Sequence, residues 1–166
     1  SVTLNHPNSG GNLSGDITVS WTGFDPNSDP LYYRLFYSKD NGATWQLLTG
    51  ETTASTFTIN SANLPATTQG LFRVMVSDGF NVSEDQSDVP FTIENKPPVI
   101  LIGSSLQNRQ IPEGQEFTLS ASVYDIEEGN LPPASISWSS DVNGYLGTGY
   151  EISPTLSPGV HLITVR

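Results

Sequence analysis

The feature that most constrains this chain is strict two-residue alternation in short runs. In Asp16–Thr22, the residues Ile17, Val19 and Trp21 share one side, while Thr18 and Ser20 take the other. Only an extended strand with one buried face has that period. The pattern recurs in Leu31–Ser38, with Tyr33, Leu35 and Tyr37 on one face and Tyr32, Arg34 and Phe36 on the other. Gly70–Asp78 turns Phe72, Val74 and Val76 inward and Leu71, Arg73 and Met75 outward. Phe117–Tyr124 turns Phe117, Leu119, Ala121 and Val123 inward. Runs at helical spacing are absent, and 15 Gly and 12 Pro punctuate the chain. Short strands with frequent turns predict an all-β fold.

The first 95 residues hold seven such strands: Ser1–His6, Asp16–Thr22, Leu31–Ser38, Thr44–Leu48, Thr56–Ile59, Gly70–Asp78 and Val89–Ile93. Lys39-Asp40-Asn41-Gly42 supplies the Asn-Gly pair that a type I′ hairpin needs, because both central residues take positive φ. Asp78-Gly79 marks another turn. Seven short strands with turn signals between them are the pattern of an immunoglobulin-like sandwich. A length of 166 residues suits two such domains. Lys96-Pro97-Pro98 reads as a linker, since adjacent prolines favour an extended, semi-rigid connection. Residues 99–166 then carry Val99–Ile102, Phe117–Tyr124, Ser135–Ser140, Glu151–Leu156 and Val160–Val165. The expected architecture is two tandem immunoglobulin-like β-sandwiches, over 1–95 and 99–166, joined by the Pro-Pro linker.

Particular motifs sharpen this. The succession Val19–Trp21 (VSW), Tyr33–Trp45 (YRLFYSKDNGATW), Leu64-Pro65 and Phe72–Gly79 (FRVMVSDG) resembles a fibronectin type III domain of secreted bacterial and archaeal proteins. The likeness covers roughly residues 1–95. The family's corner tyrosine would fall at Gly70, so the corner is missing or replaced. Ile136–Gly149 and Leu156–Val165 are similar to an Ig-like, PKD-like repeat of microbial surface proteins. That resemblance implies one further strand beyond Arg166, so the second sandwich is expected to lack its last strand. A boundary cut, closure by another segment and strand donation from another chain stay open. Ser1 in place of Met, with no leader sequence, points to a piece of a longer product.

Charge limits the partners. Residues 1–96 carry ten acids and four bases, net −6. Residues 97–166 carry seven acids and two bases (Arg109 and Arg166), net −5. A phosphate backbone would be repelled, so nucleic acid is excluded as a partner. No run of about 18 apolar residues occurs, so nothing here is expected to span a membrane. There is no Cys, hence no disulfide or thiolate site.

No reactive constellation stands out. The two histidines, His6 and His161, fall in different modules, and no nucleophile elbow, zinc helix or phosphate loop occurs. The expectation is a non-enzyme. Oxygen-rich loops suit calcium. Asp25 and Asp29, with Asp78 from the turn at the same pole, are one candidate ligand set. Glu94 and Asn95 with Asp125 and Glu127 are a second, at the joint between modules. The alternative is an Asx-turn with solvated acids. Trp21, Trp45 and Trp138 are expected in the cores. Tyr32, Phe36, Leu71 and Met75 form an outward face more apolar than solvation requires, and are the candidate partner surface. The functional expectation is a non-catalytic structural or adhesion module of a secreted or cell-surface protein. Its partners would be other domains of the same protein, a surface protein or a glycan. Open alternatives are a carbohydrate- or protein-binding module, calcium-dependent or not, and a subunit of a surface assembly.

Overall fold

The computed structural model describes residues 1–103 and 110–166, so Arg109 lies outside the described residues. The chain divides into two compact units, Ser1–Lys96 and Pro97–Arg166. Strands dominate both, and the fold is all-β and immunoglobulin-like. No helix among the described residues is long and apolar enough to cross a membrane.

Unit 1 has nine strands: β1 (Val2–His6), β2 (Gly11–Asn12), β3 (Asp16–Gly23), β4 (Tyr32–Ser38), β5 (Gln46–Leu47), β6 (Thr56–Asn60), β7 (Thr67–Ser77), β8 (Val82–Gln86) and β9 (Phe91–Ile93). One sheet has the order β1-β3-β6. The other runs β2-β9-β7-β4-β5, with β8 also on β7. The long β7 pairs with β8 along one half and β9 along the other, so β8 and β9 act as one bent strand beside β7, with β2 beyond its β9 half. The inward residues are those the alternation predicts. Ile17, Val19 and Trp21 from one sheet meet Tyr33, Leu35, Tyr37, Phe72, Val74 and Val76 from the other, all buried.

Gly70 makes room for an aromatic stack in the core of unit 1. A Cβ there would lie 2.4 Å from the Phe91 ring. The missing side chain lets Phe91 stack on Phe72 at 4.9 Å and on Tyr37 at 6.3 Å. Tyr37 in turn donates its hydroxyl to the Pro65 carbonyl at 2.9 Å, so a tyrosine of β4 ties down the segment entering β7. Trp21 packs at 5.7 Å from Tyr33, and its buried indole N–H has no hydrogen-bond partner among the described residues.

Three expectations need correcting. The strand Val82–Gln86 was not predicted, and Val89 and Pro90 fall outside β9. Its inward positions are Ser83 and Asp85, so alternation carries no apolar signal there. Asp85 instead accepts a hydrogen bond from the Leu4 N–H at 2.7 Å, joining the edges of the two sheets. Next, Asn41 and Gly42 do take positive φ, 54° and 86°. The connection is nevertheless longer than a two-residue hairpin, because pairing with β4 begins only at Gln46. Last, Trp45 is outside the core. It sits half-buried on the outer face of the β4–β7 sheet.

Unit 2 has β10 (Val99–Ile102), β11 (Leu119–Asp125), β12 (Gly129–Asn130), β13 (Ser137–Ser140), β14 (Gly144–Thr148), β15 (Glu151–Ile152) and β16 (Ile163–Val165). One sheet has the order β10-β11-β12, with β15 also on β11; the other is β14-β13-β16. The expected strands over 151–156 and 160–165 are thus much shorter. The core is Leu119, Ala121, Val123, Ile136 and Trp138. Trp138 is 1% exposed, and its indole N–H donates to the Gly149 carbonyl at 2.9 Å.

Candidate functional site

The outer face of the β4–β7 sheet is the densest chemical feature of unit 1. Strand register decides its membership, because directly paired residues point to the same side. Tyr32 pairs with Ser77, which pairs with Val82. Arg34 pairs with Met75, which pairs with Glu84. Phe36 lies between Leu47 and Arg73. Tyr32, Leu47 and Val82 are 40%, 51% and 63% exposed, and Phe36 and Met75 are half-buried.

Arg73 organises the middle. Its guanidinium lies 4.2 Å from the centroid of Trp45 and 5.3 Å from that of Phe36. It also reaches Glu84 at 3.5 Å. A planar cation between two aromatic rings gains from both, by about 0.5–2 kcal/mol according to how dry the contact is. Arg34 pairs with Glu51 at 3.2 Å, but both side chains are about half exposed. That pair contributes at most ~1 kcal/mol. The face is therefore apolar with its two arginines already paired.

Leu71 departs from expectation. It is on the predicted face but only 3% exposed. The loop from Lys39 to Trp45 covers it: a Cβ on Gly42 would lie 3.4 Å from the Trp45 ring and 3.9 Å from Leu71. Leu71 supports the loop and cannot be touched by a partner.

That loop is held by its own side chains. The Ser38 hydroxyl donates to Asp40 at 2.8 Å and accepts from the Gly42 N–H at 2.8 Å. Asp40 accepts from the Thr44 N–H at 2.8 Å and the Thr44 hydroxyl at 2.5 Å. These bonds favour the carboxylate, the Thr44 hydroxyl most, and lower the Asp40 pKa to about 2. The result is a rigid turn that presents Trp45. Tyr37, Lys39, Thr44, Trp45, Gln46 and Pro65 line a small cavity of about 200 Å³ beside it.

The acidic loops follow a different logic. Asp25 accepts from the Asn27 and Asp29 N–H groups at 2.8 and 3.0 Å. Asp78 accepts from the Phe80 and Asn81 N–H groups at 2.8 and 2.6 Å. The Asn81 bonds dominate and lower the Asp78 pKa to about 2. Glu94 accepts from the Asn12 amide at 2.7 Å, and Asn95 donates to the Lys96 carbonyl. In unit 2, burial pushes the Asp125 pKa up, yet the N–H groups of Glu128 and Glu127 outweigh it and hold it below its ordinary value. Each aspartate caps its own turn, as Asx-turns do. Asp25, Asp29 and Asp78 do share the pole set by the start of β4 and the end of β7. Even so, no group of three or more His, Cys, Asp or Glu side chains among the described residues is placed to hold a metal.

Unit 2 carries a groove of about 860 Å³. One wall is the segment from Gln110 to Phe117; the other runs from Ser153 to His161 and includes Ile163. Both ring nitrogens of His161 are engaged, with the Ser140 hydroxyl at 2.9 Å and the Ser157 carbonyl at 2.8 Å. His6 is exposed at the end of β1.

Of the predicted partner residues, the structure brings Tyr32, Phe36 and Met75 together and withdraws Leu71. Sequence reasoning missed Trp45, Leu47 and Val82, whose place depends on cross-strand register. The Asn-Gly turn shows that the chain returns along β4 but not in which register, since pairing begins only at Gln46.

No family model matches the sequence, and no curated protein does. Solved structures do. Three N-terminal domains of the Highly Immunogenic Outer Capsid protein of bacteriophage RB49 align at 20% identity and TM-score 0.33, covering 100% of this chain and 54% of that one. The N-terminal four Ig domains of Dscam1 isoform 7.44 align at 13% identity and TM-score 0.37, covering 100% and 43%. A marsupial T cell receptor aligns at 13% identity and TM-score 0.35, covering 100% and 85%. The chain spans about half the length of the first. Likeness at this level concerns the fold alone and carries no argument about function.

Proposed function

We propose that the chain is a non-catalytic structural or adhesion module from a larger secreted or cell-surface protein. In this reading unit 1 is fibronectin type III-like, unit 2 is Ig/PKD-like, and a protein surface docks on the outer face of the β4–β7 sheet. The observation that carries it is the grouping of Tyr32, Phe36, Leu47, Met75 and Val82 on one open sheet face. Paired arginines on the same face leave it apolar rather than charged. The capping roles of the loop carboxylates favour rigidity over acid–base work. The sheet order of unit 1, three strands facing a larger sheet with β4 and β7 at its centre, supports the fibronectin-like assignment.

A second reading is carbohydrate binding. It is favoured by the cavity beside Trp45, where Lys39, Thr44 and Gln46 offer polar groups around an aromatic edge. One experiment separates the two. Wild-type protein is passed over arrayed surface proteins and glycans, with and without calcium, beside a Tyr32→Ser/Leu47→Ser variant and a Trp45→Ala variant. The first reading expects protein binding that the double variant loses at unchanged melting temperature. Glycan binding lost only with Trp45→Ala establishes the second. Wild-type protein that binds neither array removes both.

A further inference from the structure

An exposed sheet edge is a row of unpaired N–H and C=O groups, and stable proteins shorten, charge or cover it. Unit 1 follows that rule at most of its edges. β2 and β5 are two residues long. β8 carries Glu84 and Asp85, and Asp85 also covers β1 by accepting the Leu4 N–H at 2.7 Å. Among the described residues of this unit, β6 is the exception. It ends the β1-β3-β6 sheet on one side and runs for five residues, Thr56–Asn60, with neither charge nor proline.

The open groups can be assigned residue by residue. β6 pairs with β3 in antiparallel register, from Asp16 opposite Asn60 to Ser20 opposite Thr56. Just beyond the two ends, the Trp21 N–H donates to the Ser55 carbonyl at 3.0 Å and the Ser61 N–H to the Gly15 carbonyl at 2.8 Å. Hydrogen-bonded pairs alternate along such a ladder, so Phe57 and Ile59 point their N–H and C=O groups at β3. Those of Thr56 and Thr58 point away from it, together with the Asn60 N–H, and no backbone hydrogen bond joins these groups to another described residue.

We propose that β6 is a self-association edge, on which a second copy of this chain lays its own β6 antiparallel, joining the two β1-β3-β6 sheets side by side. The strand is its own complement. A two-fold axis at Thr58 sets it against the second copy's Thr58, with which it exchanges both bonds, and lets each Asn60 N–H donate to the other copy's Thr56 carbonyl. On the inner face, Phe57 then opposes the second copy's Ile59. Both side chains pack on the core of their own unit and are only half-buried in a single copy. No strand is given up, because each β6 keeps its place beside β3. The net charge of −11 does not oppose contact at this edge. β6 itself is uncharged, and Asp16, across from Asn60 on β3, would lie at least three strand spacings, roughly 14 Å, from its counterpart in the second copy. That exceeds the screening length of about 8 Å at physiological salt. Five residues make a small contact, so the association belongs to the weak, transient class. Since β6 is in the sheet opposite the β4–β7 face, this contact stands or falls separately from the sheet-face reading.

The test follows the full chain by sedimentation and by NMR amide exchange from about 10 µM to 1 mM. Mass is expected to rise toward that of a dimer. Exchange at Thr56, Thr58 and Asn60 should slow by about tenfold over the same range, with little change at Phe57 and Ile59, which already pair with β3. Thr58 is exposed and faces its own counterpart across the axis. Thr58→Lys and Thr58→Glu, prepared separately, should each stay monomeric at unchanged melting temperature, because like charges then oppose one another. An equimolar mixture of the two should associate again, at least tenfold more tightly than either alone. A wild-type chain that stays monomeric to the highest concentration overturns the proposal. So does association that either variant leaves intact, or that the mixture does not recover. Slow exchange at Thr58 that is independent of concentration also overturns it, since the chain itself would then cover the edge. Association lost in Tyr32→Ser/Leu47→Ser but kept in Thr58→Lys overturns it too, and moves the contact to the β4–β7 face.

Discussion

The two units obey one pattern and reach different degrees of closure. In unit 1, 14 buried hydrophobic residues form a single cluster, all but Leu64 from the strands of the two sheets. Among the described residues of unit 2, the corresponding cluster has five, ringed by seven half-buried ones. Both have a buried tryptophan at the centre, Trp21 and Trp138. The difference is at the edge. The bent β8–β9 strand seals unit 1 with Phe91, Ile93 and the Asp85 link to β1. Nothing among the described residues does this for β16. Alternation makes a strand, but a neighbour on each side is what turns half-buried side chains into a core.

The sharpest way to break that comparison is to delete one side chain from each unit. Phe91→Ala is expected to destabilise unit 1 by about 3–5 kcal/mol, and Ile163→Ala to destabilise unit 2 by less than ~2 kcal/mol because its side chain is already partly wet. Calorimetry should also show unit 2 melting first. Equal losses would mean that the core of unit 2 is as complete as that of unit 1. Next in size is Gly70→Ala. Its methyl group would overlap the Phe91 ring, and the expected loss is roughly 1–3 kcal/mol, confined to the melting transition of unit 1.

Acid should act on both units through their turns. Asp40 and Asp78 titrate near about 2, below their ordinary 3.8, so the folded state holds its carboxylates more tightly than the unfolded chain does. Their contribution is complete above about pH 4 and is lost as pH falls through about 2. Asp125 has the same direction in unit 2. NMR titration should show the Thr44 and Asn81 amides shifting together with these carboxyls. Shifts centred near the ordinary aspartate value would show that the caps are not formed. The smallest expected effect is calcium. With the carboxylates of Asp25, Asp78 and Asp125 accepting from their own loops, EDTA and millimolar calcium should leave both melting transitions in place. A calcium-dependent rise in either would restore the loops as ligands.

Much of this was legible because burial on one face writes itself as period two. Ile17–Val19–Trp21 and Phe72–Val74–Val76 are predicted and found inward. Strand β8 was not legible because its inward residues are Ser83 and Asp85, and Asp85 is there to satisfy a backbone N–H of β1. Leu71 was assigned the right face and the wrong exposure, since its cover comes from a loop, and loops leave no periodic trace. The candidate surface was half readable. Tyr32, Phe36 and Met75 follow from alternation within a strand, whereas Leu47 and Val82 join them only through register, a property of pairs of strands. The caps at Asp25, Asp78 and Asp125 lay in the same acidic residues that suggested calcium. The chemistry of a carboxylate suits either partner, and only geometry decides between a cation and a neighbouring N–H.

The loop from Ser38 to Thr44 also bears on the order of events in folding. Its side-chain bonds span two to four residues, whereas the Leu4–Asp85 link spans 81. Closing so short a segment takes on the order of 10–100 ns, long before distant strand edges meet. The turn can therefore exist in the transition state while the sandwich is still open, setting the register of β4 against its return strand. Asp40→Ala is then expected to slow refolding in stopped-flow traces and leave the unfolding rate nearly unchanged. A variant that unfolds faster but refolds normally would place the turn among the last parts to form.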